Sequence, residues 1–188
     1  MSEIIVGISG ASGVIYGIRL LEALKKYADD LKISLVISPA GEDNIRIETG
    51  YTVDQVKAMA NACYDHKNMA AVISSGSHKT LGMVVAPCSI KTLSDIANCA
   101  TGNLLVRSAD VTLKERRKLI IVPRETPLHK GHLKLLVTVA DFGAIVLPPM
   151  PAFYNKPQTV DDIVNHTVGK ILDQFDIAHN LFKRWEGE

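Results

Sequence analysis

The sequence predicts an α/β protein built on a parallel β-sheet with helices on both faces. Three observations carry this expectation. Short apolar, largely β-branched runs recur at 3–8, 33–37, 82–87, 118–122 and 144–147. Helix-like segments lie between most of them, and strands alternating with helices imply a sheet covered on both faces. The first run empties into a loop of glycines and serines that leads at once into a helical pattern.

The first element is the run Ile4-Ile5-Val6-Gly7-Ile8, followed by Ser9-Gly10-Ala11-Ser12-Gly13. Ile15, Ile18, Leu21 and Leu24 then stand at spacings that share one helical face. Strand, small-residue loop and helix together aim free N–H groups and a helix N-terminus at an anion, usually a phosphate. The glycines read GxxGxxG, not the dinucleotide GxGxxG, and the lysine of a P-loop is missing. Ser9 and Ser12 can donate to a phosphate or cap the helix, and Ser12 is placed for either role. The plainer alternative is a tight turn that holds no ligand.

Sites in parallel sheets sit at the C-terminal ends of strands. That rule selects Ser9–Gly13, Ser38–Ala40, Ser74–Ser77, Pro87–Thr92, Pro123–Pro127 and Pro148–Tyr154 as candidate segments. In the stretch from Ala86 to Thr92, Ser89 and Thr92 supply hydroxyls and Lys91 a charge, making a second anion-binding turn. Two such turns suit a nucleotide-sized ligand. Cys88 reads as a small core residue rather than a nucleophile, since no His or Asn partner is evident. Ser74-Ser75-Gly76-Ser77 fits a surface loop and a loop closing over a ligand equally well.

Farther along, Arg107, Asp110 and the charge run Lys114-Glu115-Arg116-Arg117 belong to one helical stretch, and such runs are mostly solvated faces. Arg124 and Glu125 lie between Pro123 and Pro127, presented at the sheet edge. A mere surface ion pair there would be worth about 0–1 kcal/mol. His129 and His132 have a metal-compatible spacing but no obvious third ligand. Pro148-Pro149-Met150-Pro151-Ala152-Phe153-Tyr154 is a stiff apolar segment that can hold aromatic side chains in place at low entropic cost. The last helix is expected over 159–176, with Thr159 as N-cap, acids at 161 and 162, and Val164, Val168, Ile171 and Phe175 on one face. Lys170 on it is either a solvated charge or part of a cationic pocket. The tail 177–188, with Phe182 and Trp185 among charges, is either frayed or laid across another surface.

Composition sets the bounds. The chain has 188 residues and a net charge of +1, which fits a single domain over 1–188 and gives no bulk field for nucleic acid or an anionic membrane. No apolar run approaches the ~20 residues of a membrane span. Cys63, Cys88 and Cys99 lack metal-ligand spacing, and an odd count without a signal peptide points to the cytoplasm.

Five motifs occur in order: GISGASG, PCSIKTLS, the R-x-A-D-V-x-L-K-E-R-R stretch from Arg107, PRETPL, and PPMPAFY continuing into PQTVDDIV. Together they resemble the flavin prenyltransferase family of UbiX type, whose members were formerly known as aromatic-acid decarboxylase subunits. The resemblance runs from about residue 3 to Trp185. ETGY, PPMPAFYN and the SSGS loop further resemble the branch that accompanies non-oxidative hydroxybenzoate or phenolic-acid decarboxylases. The family implies a flavodoxin-like, Rossmann-type fold in a dodecamer. It implies FMN, dimethylallyl phosphate or the pyrophosphate as prenyl donor, and no metal. The implied product is prenylated FMN, bridged at N5 and C6, for a partner aromatic-acid decarboxylase.

By motif, the resemblance places Gly10, Ala11, Ser12, Ser38, Ser89, Ile90, Lys91, Thr92 and Arg124 on FMN. It places Tyr154 and Lys170 on the prenyl phosphate, helped by Arg107 and Lys114, and assigns Glu48, Lys114, Glu125 and Tyr154 to the chemistry. Family members also carry Arg at the position of Lys170, which exchanges a bidentate fork for a point charge. Some carry Trp where this chain has Met69. Two alternatives stand beside this reading: a flavin-dependent cysteine-conjugate decarboxylase, whose catalytic His has no obvious equivalent here, and a non-catalytic flavin-binding subunit of a decarboxylase.

Overall fold

The computed structural model describes residues 2–185 and 187. Six parallel strands form one sheet: β1 (Glu3–Ile8), β2 (Lys32–Ile37), β3 (Ala62–Tyr64), β4 (Gly82–Cys88), β5 (Lys118–Pro123) and β6 (Ile145–Val146). Their order is β3-β2-β1-β4-β5-β6. The helices are α1 (Val14–Tyr27), α2 (Pro39–Glu48), α3 (Val53–Lys57), α4 (Ile90–Ala97), α5 (Leu104–Lys114), α6 (Lys130–Asp141) and α7 (Val160–Gln174), with a short 3-10 turn at Val72–Ser74.

The five expected strands are present in the flavodoxin-like order, and β3 adds a sixth at the edge. The sequence pattern does not predict that strand: three residues, Ala62-Cys63-Tyr64, with partly exposed side chains carry too little hydrophobic periodicity to stand out. The central strands are hydrophobic throughout because both faces are covered. One core cluster joins Ile4, Val6, Leu35 and Val84 to α1 and α7. The other joins Ile5, Met83 and Ile121 to α4, α5 and α6. Ile18, Leu21 and Leu24 are fully buried on α1, as their spacing predicts. Gly17 lies against β1 and β4; a Cβ there would run into the Ala86 carbonyl oxygen and sit 2.8 Å from Ile8 Cγ1.

The strand order reverses between β1 and β4, so the loops after these strands diverge and leave a crevice at their C-terminal ends. In β4 the register slips between Val85 and Cys88, where Pro87 has no N–H to give the ladder. Thr159 caps α7 in a capping box with Asp162. Bonds from the Gln158 and Thr159 N–H groups hold the Asp162 carboxyl below the usual carboxylate range.

Candidate functional site

Ser9 stitches the two turns of the crevice together. Its hydroxyl donates to the Pro87 carbonyl at 3.0 Å and accepts from the Ser89 N–H at 2.8 Å. The side chain is fully enclosed. Ser9 therefore does not meet a ligand, contrary to the expectation that it could donate to a phosphate. Ser12 remains exposed, but it does not cap α1 either. The N-cap is Gly13, at φ 96°, with no side-chain cap bond, because the loop turns through a left-handed conformation that glycine alone adopts cheaply.

The first N–H groups of α1 are not bare. Glu48, the last residue of α2, accepts from Gly13 N at 2.8 Å and Val14 N at 3.4 Å. A carboxylate thus holds the helix N-terminus where the sequence suggested an anionic ligand, as its positive dipole end favours. Close contact of Gly10 with Ala40 brings the β1 loop against the start of α2. There Ser38 caps α2, accepting from Gly41 N at 3.1 Å.

In the second turn Ser89 caps α4, accepting from Thr92 N at 3.2 Å and donating to the Thr92 hydroxyl at 3.1 Å. The first-turn N–H groups of Ile90 and Lys91 have no carbonyl to bond within the helix and face the crevice side of the sheet. The Lys91 ammonium points away to Asp95 at 2.8 Å, so its charge does not serve the turn as expected. Arg124 spans the crevice from β5, its Nε donating to the Ser12 carbonyl at 3.1 Å. Glu125 is exposed and makes no ion pair with Arg124; its carboxylate accepts from Thr126 N at 3.0 Å. Beside these groups lies a cavity of about 600 Å³, mostly apolar, lined by Ile90, Pro123, Leu136, Val146, Pro148 and Met150 among others.

The donor set fits a flavin mononucleotide. Hydroxyls of Ser12, Ser38, Ser89 and Thr92, unpaired helix-start N–H groups and one guanidinium suit a phosphate and its polyol. The apolar cavity suits a flat ring.

The remaining candidates stand elsewhere in the chain. Tyr154 is exposed, with its hydroxyl 3.0 Å from His166 Nε2 and its ring edge-on to Trp185 at 6.0 Å between centroids. Lys170, one turn on from His166, pairs loosely with Asp173 at 3.7 Å. Lys114 closes α5 just before β5 begins, so it lies at the edge where strands start. The crevice lies at the other edge, a strand length or roughly 20 Å away. Lys114 contacts Glu115 there, and Arg107 bonds Asp110 at 2.8 Å and the Ser74 carbonyl at 3.2 Å. Arg117 donates to the Gly76 and His78 carbonyls. The Ser74–Ser77 loop is thus pinned by α5 at the strand-start edge. Its assignment to the C-terminal edge is corrected: no strand ends there, and β4 begins a few residues later.

Cys88 is fully buried, and burial pushes its thiol pKa well up, as befits a core residue. His129 explains its own spacing to His132 by capping α6, its Nδ1 accepting from Gly131 N at 3.0 Å. Among the described residues no three His, Cys, Asp or Glu side chains are grouped to share an ion.

The described part of the tail does not fray. Residues 177–185 lie along α7, with His179 bonded to Asp173 at 3.1 Å and Arg184 forked onto Asp173 at 2.6 and 3.2 Å. Burial alone would raise the Asp173 carboxyl, but these bonds outweigh it and hold it below the usual range. Asp173, His179 and His166 are site neighbours that sequence reasoning missed. The signal was there: His166, Lys170 and Asp173 recur at spacings that share a helix face.

Comparison with known proteins places this arrangement. A family model described as Flavoprotein matches residues 1–172. The flavin prenyltransferase UbiX of Salmonella typhimurium is 53% identical over 189 residues, spanning 100% of both chains. A dodecameric FMN-dependent UbiX-like decarboxylase from Escherichia coli O157:H7 superposes with a TM-score of 0.96 at 45% identity, over 98% of this chain and 100% of that one. AnUbiX (PadA1), solved with FMN and dimethylallyl pyrophosphate, gives a TM-score of 0.97 at 42% identity, over 100% of this chain and 98% of that one.

Proposed function

The chain belongs to the Flavoprotein family and, within it, to the flavin prenyltransferases, and from that membership we propose how its residues divide the work. The reaction joins a dimethylallyl group, carried on dimethylallyl phosphate, to N5 and C6 of reduced FMN. The observation that carries this reading is the crevice between β1 and β4. Two hydroxyl-rich turns meet there through Ser9, Arg124 reaches across to the Ser12 carbonyl, and an apolar cavity lies beside Arg124 and Ile90. Gly10, Ala11, Ser12, Ser38, Ser89, Ile90, Lys91, Thr92 and Arg124 hold FMN, with Ile90 and Lys91 acting through their N–H groups.

Breaking the allylic C–O bond develops negative charge on the departing phosphate. Tyr154, Lys170, Lys114 and Arg107 would bind that phosphate and stabilise the charge as it grows. When bound, the reduced flavin supplies the nucleophile and the electron-rich face toward the allyl cation. Closing the second bond releases a proton, and Glu48, Glu125 or the freed phosphate takes it.

One chain does not assemble all of these groups. Lys114 stands at the strand-start edge, Arg107 is held on α5 by Asp110 and the Ser74 carbonyl, and Tyr154 and Lys170 are exposed beside α7. We infer that neighbouring subunits of a homo-oligomer, a dodecamer by likeness to the E. coli protein, bring them together. Exposed Leu133, Val137, Phe142, Met150 and Phe153 are apolar surface that such contacts would cover. The product would serve a partner aromatic-acid decarboxylase.

The test is the mass of the flavin released after the protein meets reduced FMN and dimethylallyl phosphate. A gain of one C5H8 unit is expected. Unchanged flavin with either the phosphate or the pyrophosphate donor would overturn the reading in favour of a flavin-binding carrier subunit.

A further inference from the structure

Tyr154 has a partner that the reaction scheme leaves unused. His166 Nε2 stands 3.0 Å from the phenol oxygen, with the two rings edge to face at 5.8 Å. The imidazole is fixed from its other side by Phe182 of the tail, 4.7 Å away between centroids. Phe182 can lie there because residue 169 is glycine; a Cβ at that position would run into Phe182 and sit 2.6 Å from His179 Cε1. The bond to Tyr154 is thus held between a stiff proline-rich segment and a docked tail.

A phenol has one proton to give. If Nε2 accepts it, the phenol oxygen turns lone pairs toward an incoming phosphate. If Nε2 donates instead, the phenol proton is free for the phosphate. We propose that His166 is a positioning residue for the prenyl donor, aiming the Tyr154 hydroxyl at the donor phosphate by donating to the phenol oxygen. This rests on the reading of Tyr154 and Lys170 as phosphate ligands.

The charged neighbours fit that role. Lys170 and Asp173 flank His166 on α7, His179 and Arg184 come from the tail, and Arg19 of α1 bonds the adjacent Asn165. Burial first, and Lys170 second, hold the imidazole pKa below its ordinary value. Free protein near neutrality therefore carries a neutral ring with a choice of tautomer. A bound dianion favours the donating form, and protonation at lower pH leaves only that form.

The experiment measures KM for dimethylallyl phosphate and kcat from pH 5.5 to 8.5 in wild type, His166→Leu, His166→Gln, Tyr154→Phe and the Tyr154→Phe/His166→Leu pair. His166→Leu should raise KM about 3–10-fold, more than it lowers kcat. Gln can donate but not titrate, so His166→Gln should keep affinity within about twofold near pH 8. Wild type should gain on it as pH falls, with the donor's own ionisation common to both. The double variant should be no weaker than Tyr154→Phe alone. Additive losses, or wild-type and His166→Gln profiles that overlay at every pH, would overturn the inference even if His166→Leu failed to fold. An unchanged KM in Tyr154→Phe would instead remove Tyr154 from the phosphate site, a separate failure of the underlying reading.

Discussion

Ser9 shows how a residue without charge or ligand contact can set a site. Its single hydroxyl is both donor to β4 and acceptor from the β4–α4 turn. Ser9→Ala would leave a buried carbonyl and a buried N–H unpaired, costing about 1–3 kcal/mol. Denaturant unfolding should show that loss, together with weaker FMN binding as the two turns part. Glu125 is the opposite case, exposed and lightly held by its neighbour's N–H. Glu125→Gln should retain FMN and lower turnover by about 10²–10⁴-fold if the carboxylate moves the proton; turnover near wild type with a saturating donor would exclude that role. Ser12, Ser38, Ser89 and Thr92 stand out in the sequence because they follow strands, where sites in parallel sheets lie. The burial of Ser9, the outward turn of Lys91 and the Glu48 cap do not. Each depends on a residue 30 or more positions away or on a rotamer that local pattern does not fix.

At the level of elements, the helix starts follow from local chemistry. Ser38, Ser89, Asn103 and Thr159 each accept a first-turn N–H. Thr159→Ala should cost about 1 kcal/mol, seen as a fall in Tm of roughly 2–4 °C. The docked tail is an element that the sequence left between two readings, because nothing local says that Asp173 will collect both His179 and Arg184. Trp185 is the chain's one tryptophan, so its fluorescence reports this docking. Asp173→Asn should shift the emission intensity as the tail leaves α7 and the exposed indole loses its contact with Tyr154. Acid should do the same in wild type. A carboxyl whose pKa is lowered by folding contributes stability that is complete above its unfolded value of about 3.9 and lost as pH falls through its folded one. Emission should therefore hold steady from neutrality to about pH 4 and shift below it. A shift centred near pH 6 would assign the docking to a histidine instead.

Across the whole molecule, the strand order decides where function can be. Reversal between β1 and β4 gathers three segments from distant parts of the chain at one edge, while Lys114 stays at the other. Shared sites across subunits make a direct prediction. Lys114→Ala and Tyr154→Phe proteins, each weak alone, should regain activity when their subunits are mixed and reassembled. Random mixing would give about a quarter of sites both native residues if these come from different subunits; no recovery in demonstrably mixed oligomers would place both groups in one subunit. No helix among the described residues is long and apolar enough to cross a membrane. The sequence by itself determined the α/β class, five of the strands, the Thr159 cap and the position of the hydroxyl-bearing turns, because these are written in periodicity and in single-residue preferences over a few neighbours. Only the tertiary structure decided which of the named residues share an edge of the sheet, that Glu48 reaches the start of α1, and that the tail locks His166 against Tyr154. Those outcomes depend on the order of strands and on contacts between segments far apart in the chain, which local pattern does not encode.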